Sequence, residues 1–182
     1  MIGTRPFSDT EVRNIIDSTD SARDRLIVLC GLTFGLRISE SLSLNFKDLS
    51  GDYLSVKSLK NSSNQTYPIS PDVKAAVEAL KSEYQSKDFS INADSAVFKN
   101  RSGVRMTRQS ASNLIKKLSA NHGMTGKINT HSLRKTFINK IYDATGKDMV
   151  ETMSYSRHKT LNSIGHYLKS NGDTSLVMTL KY

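Results

Sequence analysis

The segment from Ala22 to Phe34 constrains this chain more than any other part of it. Leu26, Ile27, Leu29, Cys30 and Phe34 fall at spacings that put apolar side chains on more than one face of a helix. A helix of that kind is stable only inside a core. The apolar run from Leu26 to Leu36 is interrupted by Gly31 and Gly35 and is far too short to span a bilayer, so no membrane partner is expected. The helix should stop near Gly35.

The rest of the pattern is mostly helical. Ser8-Asp9-Thr10-Glu11 has the form of a capping box, followed by Val12, Ile15 and Ile16 at helical spacing. Ile38 to Leu44 reads as another helical turn or two. Tyr53-Leu54-Ser55-Val56-Lys57 then alternates as a half-buried strand does, and Thr66-Tyr67-Pro68-Ile69 can pair with it. Asn61-Ser62-Ser63-Asn64 supplies turn chemistry between them, giving a small hairpin with Lys60 close to its tip. Ser70 and Pro71 suit the cap and first position of a helix running to about Tyr84. A polar linker, a short buried segment at Ala96-Val97-Phe98 and a basic turn from Lys99 to Gly103 come next. Thr107 is a candidate cap for a helix through Leu114, Ile115 and Leu118. Further helices are expected from Thr130 to about Ala144, around Met149 to Ser154 and across Leu161 to Leu168. The expected fold class is mainly α with a small antiparallel β-sheet (α+β), as one domain over residues 1–182.

Charge narrows the partner. With 26 Lys and Arg against 17 Asp and Glu, the chain carries a formal net charge of +9. Such a balance favours a polyanion, through phosphate neutralisation and counterion release. The lone cysteine, Cys30, lies within the apolar run and offers neither a disulfide framework nor a paired-thiol metal site. Met1 to Phe7 lacks the charged and hydrophobic regions of a signal peptide, so a cytoplasmic location is expected.

Chemistry enters at His131-Ser132-Leu133-Arg134. Positions three apart on a helix face the same way and can present an imidazole and a guanidinium together. Taken alone, the motif is better explained by a surface His and Arg near a helix start. Far upstream, Gly35-Leu36-Arg37-Ile38-Ser39-Glu40 puts an arginine at the end of the buried helix, with Glu40 one turn away and able to hold it. An arginine so placed is a structural ion pair or an anion ligand.

As a set, these residues resemble the tyrosine recombinase family, and the resemblance covers essentially the whole chain. Gly35 to Glu40 is similar to the family's first-arginine segment, Lys60 falls on its catalytic hairpin, and His131-Ser132-Leu133-Arg134 matches its second-arginine motif. His158 precedes Tyr167 at the family's usual separation of late histidine and nucleophile. Two departures stand out. Ser156-Arg157-His158 replaces the Leu-Gly that many relatives place before the histidine, which puts the tight turn there in question. The clamp-like N-terminal core-binding domain that most relatives carry is not expected in this chain.

The resemblance implies a site-specific recombinase that cleaves and rejoins DNA through a 3′-phosphotyrosine on Tyr167, for integration, excision or inversion. A tyrosine phenol has a pKa near 10, so only about one in a thousand is ionised at neutral pH without help. Guanidinium forks match the non-bridging oxygens of a phosphodiester, the role implied for Arg37 and Arg134, with Glu40 in support. Lys60 is the implied general acid for the leaving 5′-oxygen, His131 the base and His158 a second phosphate donor. No cofactor or metal is implied, and the sequence holds no His-Glu-x-x-His pattern, phosphate-binding glycine loop or Gly-x-Ser-x-Gly elbow. His166, beside Tyr167, points elsewhere on its helix.

Lys99, Arg101, Arg105, Arg108, Lys116 and Lys117 form the densest basic stretch and are candidate contacts to the DNA backbone, a solvated charged face being the plain alternative. The implied partners are double-stranded DNA and further copies of the chain, as a tetramer on paired sites, with room for accessory DNA-bending proteins. The tail from about residue 170 carries Leu176, Val177, Met178 and Leu180 and is expected to dock in cis or in trans. Three rivals remain, the first two being a type IB topoisomerase-like enzyme and an inactive DNA-binding accessory protein. A basic helical domain with accidental motifs is the third, and it requires that the candidate residues stay apart in space.

Overall fold

The computed structural model describes residues 3–56, 65–158 and 160–165. Along them run α1 (Asp9–Asp17), α2 (Ala22–Thr33), α3 (Ile38–Ser43), β1 (Tyr53–Val56), β2 (Gln65–Pro68), α4 (Pro71–Gln85), α5 (Arg108–Asn121), α6 (Thr130–Ala144), α7 (Met149–Ser156) and α8 (Leu161–Gly165). The class is therefore mainly helical with one two-stranded antiparallel sheet, as the patterns predict. A single 3-10 turn at Phe46–Leu49 was not legible, because four residues are too few to show a period.

Local chemistry explains most boundaries. Ser8 and Glu11 form the reciprocal capping box that starts α1. The hydroxyl of Ser70 accepts from the Val73 N–H, with Pro71 opening α4, and Thr107 accepts from the Ser110 N–H to start α5. The Asp148 carboxylate accepts from the N–H groups of Val150 and Glu151, which starts α7. In the hairpin Tyr53 pairs with Pro68 and Val56 with Gln65, so Leu54, Val56 and Tyr67 face the core.

The helix that constrains the sequence sits at the centre. Leu26, Ile27, Cys30 and Phe34 pack into a large cluster with α4, the sheet and Phe98, while Val28 turns the other way toward Ile15, Ile115, Leu118 and Leu133. Full burial of each such aliphatic or aromatic side chain contributes about 1.5–3 kcal/mol, so this helix anchors both halves of the core. Among the described residues, no helix is long and apolar enough to cross a membrane.

The contact that matters most for the site is between α2 and α6. A Cβ on Gly31 would stand 2.7 Å from the Cβ of Leu133, and Gly35, at φ +58°, lies directly against the ring of Phe137. Only glycine permits that approach, and at Gly35 it also permits the left-handed turn that ends the buried helix. The chain ahead of α1 then straps the start of α6. The Arg5 N–H donates to the Lys127 carbonyl (3.0 Å), the Phe7 N–H to the Thr136 hydroxyl (2.8 Å) and the Asn129 amide to the Thr4 hydroxyl (2.9 Å).

Candidate active site

Arg37 is the N-cap of α3, with extended backbone at φ −67° and ψ 148°. Its N–H donates to Glu40 Oε2 (2.7 Å) and its Nη1 to Oε1 (3.1 Å). The Glu40 side chain is only 5 % exposed whereas that of Arg37 is 44 % exposed. A buried carboxylate thus aims a guanidinium whose outer edge faces solvent. Burial pushes the Glu40 carboxyl up, but hydrogen bonds and charge from Arg157 and Arg37 outweigh it and leave the pKa below the ordinary value.

On α6 the cap is Asn129, whose side chain accepts from the His131 N–H (2.8 Å). Three residues on, Arg134 is 1 % exposed. Its Nη1 and Nη2 donate to the carbonyls of Gly35 and Ser156, each at 2.5 Å. One guanidinium therefore joins the end of α2 to the end of α7.

That second end is the turn in question at sequence level. Arg157 occupies the left-handed region at φ 57° and ψ 31°, so the tight turn forms without a glycine. Its Nη1 and Nη2 reach Glu40 Oε1 (3.3 Å) and Oε2 (2.8 Å), with both side chains buried. The next residue, His158, has Nδ1 2.8 Å from the Ser156 hydroxyl. Burial, followed by the charges of Arg134, Arg37, His131 and Arg157, pushes the His158 pKa down to about 4. Burial and the charges of Arg134, Lys135 and Arg37 also lower that of His131. Both imidazoles are accordingly neutral near pH 7.

Arg37, His131, Arg134 and His158, brought from three distant stretches of sequence, thus lie close enough that both arginines lower the pKa of both histidines. Their convergence removes the reading of accidental motifs. The cluster is cationic, with neutral imidazoles beside the guanidinium groups, chemistry suited to an anionic ester. Lys60 and Tyr167 lie outside the described residues, as do His166 and the tail. The strands on either side of residues 57–64 are described, however. The buried hydroxyl of Tyr67 on β2 donates to the Tyr155 carbonyl (2.7 Å) and faces the charges of Arg157 and Arg134. Burial, only partly offset by those charges, raises the Tyr67 pKa, so it serves as a strut.

Sequence reasoning missed both Tyr67 and the partner of Arg157. The available signal was an arginine at a helix end where a left-handed residue is needed, followed at once by a candidate histidine.

The basic stretch needs correction. Lys99 is 7 % exposed, with Nζ donating to the Ser90 carbonyl (2.5 Å) and lying 5.5 Å from the Tyr84 ring centre. It is a core residue, because its long stem packs on aromatics and its ammonium finds a carbonyl. The guanidinium of Arg105 is committed to the carbonyls of Leu42 and Leu44 and to the Asn45 side chain (2.6 Å). Arg105 is nonetheless exposed, as are Arg101, Arg108, Lys116 and Lys117, so among these six only Lys99 is withdrawn from solvent. Arg101 and Lys117 line one side of a 490 Å³ groove together with Arg23, Asn100, Ser110 and Asn113.

Comparison with known proteins bears on the family and the fold. Residues 7–173 match the phage integrase family. The type 1 fimbriae regulatory protein FimE of Escherichia coli K12 is 28 % identical over 152 residues, covering 82 % of this chain and 76 % of FimE. Tyrosine recombinase XerC of Xanthomonas axonopodis pv. citri is 30 % identical over 143 residues, which is 76 % of this chain but 45 % of XerC. Among solved structures, the XerH site-specific recombinase bound to its difH substrate superposes with a TM-score of 0.75 at 18 % identity, over 98 % of this chain and 55 % of XerH.

Proposed function

The chain belongs to the phage integrase family, and from that premise we propose that it cuts and rejoins duplex DNA site-specifically, through a 3′-phosphotyrosine on Tyr167. The observation that carries the reading is the convergence of Arg37, His131, Arg134 and His158 at the meeting point of α3, α6 and the end of α7. It supports phosphodiester chemistry over a purely structural or accessory role, which would have no need of neutral histidines beside clustered arginines.

In the proposed step the Tyr167 hydroxyl oxygen attacks the phosphorus and passes its proton to neutral His131. Arg37 and Arg134 stabilise the charge growing on the non-bridging oxygens, His158 donates a further hydrogen bond, and Glu40 holds Arg37. The bond to the 5′-oxygen breaks, and that oxygen leaves with a proton from Lys60. Attack by another 5′-hydroxyl reverses the sequence and releases the tyrosine, so no external energy source is needed.

Exposed Arg101, Arg108, Lys116 and Lys117 are the proposed backbone contacts beside the break. Strand exchange further calls for copies of the chain on paired sites, with the tail from about residue 170 docking in cis or in trans. The place of action is the DNA-bearing cytoplasm of a bacterial cell or phage host.

The test is incubation with nicked suicide duplexes drawn from DNA flanking the gene, resolved on a denaturing gel for wild type and Tyr167→Phe. A covalent adduct that disappears in Tyr167→Phe is the expected result. Absence of adduct on DNA that the protein demonstrably binds would instead favour the accessory DNA-binding reading.

A further inference from the structure

We propose that Arg157 is a positioning residue, which through Glu40 locks the turn bearing His158 to the segment bearing Arg37. The inference rests on the recombinase reading of the same site.

The backbone raises the question. A non-glycine residue in the left-handed region costs about 1–2 kcal/mol, and burying a guanidinium costs several kcal/mol before any partner is counted. A glycine at position 157 would avoid both costs. The compensating feature is the Glu40 carboxylate, all of whose contacts are shared. Oε1 accepts from Nη1 of Arg37 (3.1 Å) and Nη1 of Arg157 (3.3 Å), while Oε2 accepts from the Arg37 N–H (2.7 Å) and Nη2 of Arg157 (2.8 Å). Neither arginine can shift without rotating the carboxylate away from the other. The turn itself is held from two more sides, by Tyr67 on the Tyr155 carbonyl and by Arg134 on the Ser156 carbonyl. Three consecutive residues, 155 to 157, are thereby tied to β2, α6 and α3, and His158 follows immediately.

Charge gives a second reason. Glu40 alone would neutralise Arg37. With Arg157 on the buried side of the carboxylate, at 1 % exposure, the negative charge is matched from within, and the positive charge of the exposed Arg37 is left to act on an anion. Removing the Arg157 fork would leave His158 on a turn with one fewer tether and Arg37 facing an undivided carboxylate.

The test compares wild type, Arg157→Gly, Arg157→Lys, Glu40→Gln and the double variant Glu40→Gln/Arg157→Gly, in single-turnover cleavage of the nicked duplex at saturating protein. Affinity for that duplex is measured separately at fixed salt. Arg157→Gly is expected to bind DNA within about twofold of wild type yet cleave on the order of 10–100-fold more slowly, as misplacement of catalytic groups does. Arg157→Lys, with charge but no fork, should fall between the two. The double variant should be no slower than the slower of its parent single variants, because both changes remove one linkage. In free protein, the ¹⁵N resonances of the His158 imidazole should move in Arg157→Gly.

Wild-type cleavage rates in either Arg157→Gly or Arg157→Lys overturn the proposal, as do additive rate losses in the double variant. If Arg157→Gly does not fold, Arg157→Lys decides alone. A wild-type protein that forms no adduct refutes the recombinase reading instead, so the two failures are distinguishable.

Discussion

Gly31 on α2 and Leu133 on α6 touch so closely that a methyl group on the first would stand 2.7 Å from Cβ and 2.9 Å from Cδ1 of the second. Leu133 is 2 % exposed and lies between His131 and Arg134, so it has nowhere to move that leaves those residues in place. Alanine would improve helix propensity by about 1 kcal/mol, but overpacking of a tight core costs about 1–3 kcal/mol. Gly31→Ala should therefore lose up to about 2 kcal/mol in urea unfolding. Its cleavage rate should also fall, since α6 must shift to admit the methyl.

The two site arginines should separate by what they do for the fold. Arg37→Ala removes an exposed guanidinium and leaves Glu40 its pair with Arg157, so the melting temperature should change little. Cleavage should drop on the order of 10²–10³-fold, as for loss of a preorganised donor. Arg134→Ala should lose comparable or greater activity and about 3 kcal/mol of stability as well, because it orphans the buried carbonyls of Gly35 and Ser156. Thermal denaturation and cleavage measured on the same preparations check both.

Depressed histidine pKa values predict an acid-side loss of stability. A free imidazole titrates near 6.5, whereas His158 in the folded chain titrates at about 4, so between those limits the unfolded chain binds more protons. Stability should accordingly decline as pH falls through that window, and His158→Gln should flatten the decline. A bound phosphate opposes the shift by placing negative charge beside the imidazoles. DNA binding should therefore take up protons at pH 5–6, visible as buffer-dependent binding enthalpy in calorimetry, with the uptake reduced in His158→Gln.

How much of this was legible depended on whether a residue's role is set locally. The caps at Ser8, Ser70 and Thr107 and the dense apolar face of α2 are local properties, and the sequence pattern placed all of them. Arg37, His131, Arg134 and His158 were legible only as an ordered set, and their meeting in space rests on glycines at positions 31 and 35 whose partners are about a hundred residues away. Arg157 was visible only as an anomaly, since nothing local announces a partner at Glu40. Lys99 misled for the opposite reason. In sequence it belongs to a basic run, and only the aromatic surface of Tyr84 and Phe89 reveals that its stem is buried.

The basic stretch yields a test that sorts surface from scaffold. If Arg101, Arg108, Lys116 and Lys117 contact phosphates, alanine at each should lower the slope of log affinity against log salt by up to about 0.9. Lys99→Ala should leave that slope unchanged and reduce stability by about 1–3 kcal/mol, because it strips a donor from a backbone carbonyl. Fluorescence anisotropy across a salt series, paired with urea unfolding, distinguishes the two groups.

The guanidinium of Arg134 spans contacts 99 and 22 residues away along the chain. Contacts of such separation form late, after the entropy of closing the intervening loops has been overcome. An arginine proposed to meet a phosphate is therefore properly seated only once the ends of α2 and α7 have both docked on α6. A nascent or partly unfolded copy would hold the same residues but not the assembled cluster. For a protein whose proposed business is breaking chromosomes, this couples the capacity to do harm to completion of the fold, a safeguard that needs no inhibitor.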